Sequence, residues 1–390
     1  MINFDEIFSS VAKNIKPSGI RKFFDIAATM EDVISLGVGE PDFVTPWHIR
    51  DAGIMSLEQG HTHYTSNSGI AELRNEVCNY FERHFELSYK EDQVLITVGG
   101  SEAIDLCFRA LISPGDEVII PEPSFVCYTP CTQLAGGVPV AVVTEEKDEF
   151  ILTAENLKKA ITSKTKILVL PYPNNPTGAI MTKQQLEDIA KVLDGTDIIV
   201  LADEIYAELT YGCKHFSIAN IPEMKERTVI VGGFSKCYAM TGWRLGFAIG
   251  DERIISLMRK IHQFAIMSAP TTSQYAAIEA LKNGDWDIAQ MRAQYDERRV
   301  YLIERLNKMG LSCFEAKGAF YVFPCIKSTG LSSDEFCNRL LQEKHVAVIP
   351  GNAFGDSGEG FIRISYAYSL SRIEKALDRI EEFLKELKKL

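Results

Sequence analysis

The stretch GFSKCYAMTGWRLG, Gly233 to Gly246, sets a lysine in surroundings that can change its chemistry. Lys236 follows an apolar run and sits among small and polar residues. An amine that loses water there has a depressed pKa and becomes a nucleophile or base. Arg244, eight positions on, carries a planar fork suited to a phosphate. In VGGSEAID, Val98 to Asp105, Gly100 and Ser101 stand where a glycine turn opens a helix. Backbone N–H groups at such a start hold a dianionic phosphate well. Arg363 lies inside the apolar run FIRISYA, Phe361 to Ala367. A guanidinium in that position is costly unless an anion meets it. Taken singly, each feature also has an ordinary reading: a surface lysine, a structural arginine, a tight turn, an internal ion pair. Asp203 in ADEIY can be a helix N-cap. Asn175 in PYPNNPTG can be a turn former, and Phe125 and Tyr128 in PEPSFVCY ordinary core.

The elements that must position these residues are legible as apolar runs. Val94 to Val98, Val118 to Ile120, Ile167 to Leu170, Ile198 to Ala202 and Val229 to Val231 read as buried strands. SEAIDLCFRAL and KQQLEDIAKVL read as helices between them. Strands alternating with helices predict an α/β fold, a three-layer arrangement with a mostly parallel sheet covered on both faces. Each candidate comes just after such a run: Gly100 and Ser101 after the first, Phe125 after the second, Asn175, Asp203 and Lys236 after the next three. Ligands of open parallel sheets bind outside the carboxyl ends of the strands. Five segments therefore aim polar or aromatic groups at one edge. The last hundred residues differ. A long helix over 289–309, short strands near 320–323, 346–349 and 361–365, and a charged helix from about Ser371 predict a smaller α+β domain. The expected division is an N-terminal segment 1–46 that joins the small domain, a large domain 47–283 and a small domain 284–390.

Bulk properties exclude several classes. The chain has 390 residues, 46% of them hydrophobic, with a formal net charge of -12, so it can bury a large core and repels phosphate backbones. The sequence shows no polybasic cluster or long apolar run, and its first ten residues, MINFDEIFSS, do not read as a secretory signal. Neither a nucleic acid nor a membrane is an expected partner. Nine cysteines, an odd number, are scattered without a CxxC pair, which fits reduced thiols in a cytoplasm. Cys127 and Cys131 are four apart with nothing nearby to complete a metal set. His61 and His63 lack a third ligand and read as surface histidines, so no metal is expected.

Read together, these blocks resemble the class I and II pyridoxal-phosphate-dependent aminotransferases over nearly the whole chain, in the subgroup carrying MTGWRLG after the lysine. The subgroup is similar to bacterial aromatic and N-acetyl-diaminopimelate aminotransferases through SGIRKF near the start and GAFYVFP at Gly318 to Pro324. The resemblance implies an aspartate aminotransferase-like fold with the small domain built from both termini. It implies that Lys236 forms a Schiff base with pyridoxal phosphate and that Arg244, Gly100 and Ser101 bind the phosphate. Asp203 is then the partner of the ring nitrogen, Asn175 and Tyr206 bond the ring oxygen, and Phe125 stacks on the ring, with Tyr128 a second candidate. Arg363 clamps the substrate α-carboxylate, and Gly39 in LGVGEPDF lets the backbone approach the substrate. Tyr64 in HYTSNSGIAELR reaches the phosphate of a neighbouring subunit, which makes the expected assembly a homodimer with shared sites. Family members often carry Ser or Thr where this chain has Gly233, so Ser235 is the substitute hydroxyl.

The implied activity is transfer of an amino group between an L-amino acid and a 2-oxo acid by a ping-pong route. Lys236 and Asp203, with Tyr206, carry the chemistry. Aspartate, aromatic amino acids and N-acetyl-diaminopimelate all stand as donors; no second cation for an acidic side chain is identifiable, and Ile20 is a candidate for an aromatic-tolerant pocket. A carbon–sulfur β-lyase on the same scaffold is the nearest alternative. A pyridoxal-phosphate-binding regulatory protein is the alternative of another class, but the Gly39 block begins too early to leave room for a DNA-binding module.

Overall fold

The computed structural model describes residues 2–17 and 30–387; Ile20 lies outside the described residues. In chain order the strands are β1 Ile34–Ser35, β2 Val94–Thr97, β3 Glu117–Glu122, β4 Val138–Val143, β5 Thr165–Leu170 and β6 Ile199–Asp203. They continue with β7 Thr228–Gly233, β8 Gly246–Ile249, β9 Tyr321–Val322, β10 Val346–Ala347, β11 Ile349–Pro350 and β12 Ile362–Ser365.

Seven strands form one sheet in the order β2-β8-β7-β6-β5-β3-β4. Its pairs are parallel except for β8, which runs against both neighbours. Alternate residues of each strand enter different cores. Leu95, Val118, Val169, Leu201 and Val231 meet the layer formed by helices Gly99–Leu111 and Glu252–Ala265. Ile96, Ile119, Leu168, Val200 and Ile230 face the opposite side, with helices Ala71–Phe85, Lys183–Leu193 and Thr271–Asn283. Burial on both faces is why these strands read as unbroken apolar runs rather than alternating ones.

Three strands escape a reading of the sequence, the two-residue β1 among them. VPVAVV (β4) contains Pro139, which argues against a central strand, but β4 lies at the sheet edge, where a missing N–H costs little. GFAI (β8) is four residues long and begins within the block that carries Lys236 and Arg244. Other boundaries also differ from expectation. The long helix runs over Asp285–Met309, starting four residues before the expected Ala289 because Gly284 admits the chain and Asp285 and Asp287 suit the first turn. The run 346–349 is two strands in different sheets: β10 pairs in parallel with β1, while β11 joins the antiparallel sheet β11-β12-β9. Helices Ser333–Lys344 and Leu370–Leu387 complete this part, the latter burying Ile373, Leu377, Ile380 and Leu384 at helical spacing.

The β1–β10 pairing has a consequence for the site. It fixes the segment that follows β1, Leu36 to Glu40, between the two sheets. Leu36 donates its N–H to Ala347 and accepts from Ser365. Gly39 and Arg363 are thereby held on the same side, facing the carboxyl edge of the large sheet.

Candidate active site

Lys236 lies three residues beyond β7, and its Nζ donates to the Gly39 carbonyl at 2.6 Å. Burial pushes its pKa down from 10.5 to about 8; Glu40 opposes this, and Arg363 and Arg244 add to it. Asp203 is the last residue of β6. Its Oδ2 accepts from the Tyr128 hydroxyl at 2.6 Å and its Oδ1 from the Ile205 N–H at 3.3 Å. Burial raises this carboxyl above its ordinary value although both donors pull the other way. A cation facing Asp203 would bring it down again. The Tyr206 and Tyr321 hydroxyls stand 2.9 Å apart.

The glycine turn after β2 opens helix Gly99–Leu111. Gly99 has φ 76°, and a Cβ there would stand 2.9 Å from Arg244 Nη2, so the guanidinium lies against the turn's backbone. Arg244 Nη1 donates to the Thr241 carbonyl at 3.0 Å. Free N–H groups of a helix start and a guanidinium thus converge, the donor set that a phosphate dianion requires.

Arg363, on β12, is 3% exposed. Nη1 donates to Asn175 Oδ1 at 2.8 Å and Nη2 to the Gly37 carbonyl at 2.5 Å. The Tyr321 and Phe354 rings lie 4.5 and 4.8 Å from the guanidinium carbon. Burial lowers its pKa, and its Nε has no partner among the described residues. Among the described residues no carboxylate pairs with it, so the internal ion-pair reading does not hold. A dry, cationic, incompletely bonded guanidinium is a receptor for a small carboxylate.

These groups line one cavity of about 410 Å³. Gly39, Gly100, Ser101, Phe125, Asn175, Asp203, Tyr206, Ser235, Lys236, Arg244 and Arg363 all face it. Tyr64 does not; it is 81% exposed. Tyr128, expected as a second stacking ring, instead holds Asp203 through its hydroxyl. Tyr321, Glu40 and Thr241 also line the cavity, and sequence reasoning misses all three. Tyr321 lies inside the GAFYVFP block, but nothing local separates it from the buried aromatics around it. Glu40 and Thr241 meet only through folding, the Thr241 hydroxyl donating to the Glu40 carboxylate. His61 is stacked on Tyr275, ring centroids 4.5 Å apart.

The cavity suits a phosphorylated pyridine aldehyde. It offers an anion site at the helix start, a buried carboxylate for a ring nitrogen, a deprotonatable amine for an aldehyde, and Asn175 and Tyr206 for a ring oxygen. Arg363, a guanidinium without a paired carboxylate among the described residues, lines the same cavity and can receive one.

The comparisons with known proteins agree with this geometry. The aminotransferase class I and II family pattern matches residues 31–380. YugH of Bacillus subtilis, a protein named at the level of aminotransferase alone, is 54% identical over 377 residues, covering 96% of this chain and 98% of its own. An aspartate aminotransferase of Pyrococcus abyssi is 46% identical over 378 residues, covering 96% and 97%. The crystal structure of an aromatic aminotransferase from Pyrococcus horikoshii superposes with a TM-score of 0.90 at 43% identity, covering 95% of this chain and 100% of that one. The chain belongs to the class I and II aminotransferases, with the aspartate aminotransferase fold. It is a pyridoxal-phosphate-dependent aminotransferase.

Proposed function

We propose that the enzyme moves the amino group of an L-amino acid with an aromatic or otherwise uncharged side chain to a 2-oxo acid by ping-pong kinetics. One observation carries the substrate class. The cationic side chains lining the cavity are Lys236, Arg244 and Arg363. Each is already committed, Lys236 to amine chemistry, Arg244 to the phosphate and Arg363 to the α-carboxylate. Beyond them Val38, Ile104, Ile205 and Tyr321 present apolar surface, and Glu40 is acidic. Among the described residues of one chain, no further lining cation meets a donor's distal carboxylate. Relatives of comparable similarity are named for aspartate and for aromatic amino acids, so similarity does not decide between them.

Arg363 binds the α-carboxylate and orients the substrate, with Asn175 fixing the guanidinium. Lys236 Nζ, about half neutral near pH 8, takes the proton from the substrate α-carbon and holds it for return. Bound pyridoxal phosphate supplies the sink for the electron pair left by that proton. Asp203, held by Tyr128, would supply the negative charge that keeps the ring nitrogen protonated. The burial of Lys236 and Arg363 keeps bulk water from competing for the amine and the carboxylate. The first oxo acid would leave before the second binds at the same Arg363, the amino group staying with the bound cofactor in between, and that makes the kinetics ping-pong.

The enzyme is a homodimer in this reading. The exposed Tyr64 and the apolar Trp47, Phe264 and Met267 on the surface support it. The scattered single cysteines support a cytoplasmic setting. The test is a donor panel without acceptor, followed by oxo-acid release. Phenylalanine or tyrosine should yield about one equivalent of oxo acid per site, with aspartate at least roughly tenfold slower, the usual scale for one lost charged contact. Preference for aspartate overturns the substrate class, and no release without acceptor overturns ping-pong.

A further inference from the structure

Behind the glycine turn lies a pair of ionisable side chains that the chemistry above does not use. Glu102 sits in the first turn of helix Gly99–Leu111, its side chain 11% exposed. One carboxylate oxygen accepts the Val98 N–H at 2.5 Å. The other meets His262 Nδ1 at 2.7 Å. His262 comes from helix Glu252–Ala265, which packs along the first helix, and it is 0% exposed. Its Nε2 has no partner among the described residues. A dry interface with an imidazole bonded on one side only is a costly arrangement. An apolar residue would pack there at less cost, so the contact to Glu102 needs a reason.

The reason lies in the turn. Val98 precedes the first helical residue, and Glu102 reaches back over one turn to hold its N–H. Thr97 braces the other side, its hydroxyl donating to the Gly99 carbonyl at 2.9 Å. With Val98 fixed from behind, Gly100 and Ser101 are held in the first turn of the helix, where N–H groups have no intrahelical acceptor, and both line the cavity. Glu102 can adopt only one useful rotamer while His262 grips its second oxygen. A carboxylate accepts and does not donate, so His262 must present Nδ1–H to it.

We propose that Glu102 and His262 are positioning residues for the cofactor phosphate: an internal anchor that holds the Val98–Ser101 turn in its anion-binding shape. This rests on the reading that Gly100, Ser101 and Arg244 hold that phosphate. The anchor acts through the phosphate alone, so it discriminates pyridoxal phosphate from pyridoxal, which lacks the phosphate but still reacts with Lys236.

The experiment measures binding of both compounds to the full-length chain freed of cofactor, by absorbance titration and equilibrium dialysis. Glu102→Ala should weaken pyridoxal phosphate on the order of ten- to a hundredfold, the cost of orphaning a buried donor, and leave pyridoxal binding unchanged. Glu102→Gln keeps an acceptor for Val98 and should recover most of the loss. His262→Leu should weaken pyridoxal phosphate, and His262→Asn, which retains a donor, should weaken it less. If Glu102→Ala does not fold, the two His262 variants and Glu102→Gln carry the comparison. Equal losses for both compounds, or no loss for either, overturn the anchor. Arg244→Gln serves as reference. If it too leaves the preference for the phosphorylated compound intact, the phosphate is held elsewhere and both readings fall. If Arg244→Gln erodes the preference and the Glu102 and His262 variants do not, the anchor alone falls.

Discussion

Replacing Lys236 with methionine in the cofactor-free chain removes a buried amine whose charge the cavity disfavours. The pKa falls from 10.5 to about 8 on folding. At roughly 1.4 kcal/mol per tenfold change, that is about 3 kcal/mol of strain on the protonated amine. The sign follows from proton counts. Between about pH 8 and 10.5 the unfolded chain binds the proton and the folded chain does not, so stability from this group rises with pH across that window. Below about pH 8 both states are protonated and the full penalty applies. The hydrogen bond to the Gly39 carbonyl is lost in the variant at every pH, a constant offset of about 1 kcal/mol. Urea unfolding of both cofactor-free proteins at a series of pH values isolates the variable part. The stability of Lys236→Met relative to the parent should fall by roughly 2–3 kcal/mol between about pH 7 and 10. Titration of tyrosines and cysteines cancels because both proteins share them. A gap that stays flat across this range would falsify the depressed pKa, and with it the amine's readiness as a base near neutral pH.

Two further substitutions probe the substrate side. Arg363→Lys keeps the charge but loses the fork and the contacts with Tyr321 and Phe354. It should raise KM by roughly 10- to 100-fold for every amino donor, whatever its side chain, in steady-state assays; an effect confined to some donors would show that Arg363 reads the side chain instead. Gly39→Ala places a Cβ on the Tyr321 hydroxyl, disturbing both the Tyr206–Tyr321 pair and the carbonyl that holds Lys236. It should cost on the order of a hundredfold in kcat with little change in thermal midpoint, and unchanged kcat would mean that this close approach has no bearing on the chemistry.

Strand-end chemistry is legible because burial on both faces of a sheet leaves uninterrupted apolar runs. The residue after each run is then placed at the sheet edge by the fold itself. Lys236, Asp203, Asn175 and the Gly100 turn can therefore be assigned to one site from the order of residues alone. Strands β4 and β8 cannot be read that way, since an edge strand with a proline and a four-residue strand lack the local signature of a buried strand. Tyr321 and Glu40 escape for a related reason. Their roles depend on which buried tyrosine and which exposed carboxylate come to rest against the cavity, and that information is not local.

The sequence by itself pointed to the cofactor chemistry, through the resemblance of the Lys236, Asp203 and Gly100 blocks to the class I and II aminotransferases. Only the tertiary structure decided how those groups are tuned. Burial sets the Lys236 pKa, the Tyr128 hydroxyl holds Asp203, and the Gly37 carbonyl accepts from Arg363. Each of these depends on distance through space; Tyr128 and Asp203 are 75 residues apart along the chain. Composition and spacing report the kinds of side chain present; desolvation and hydrogen bonding arise only when folding has removed the water between them.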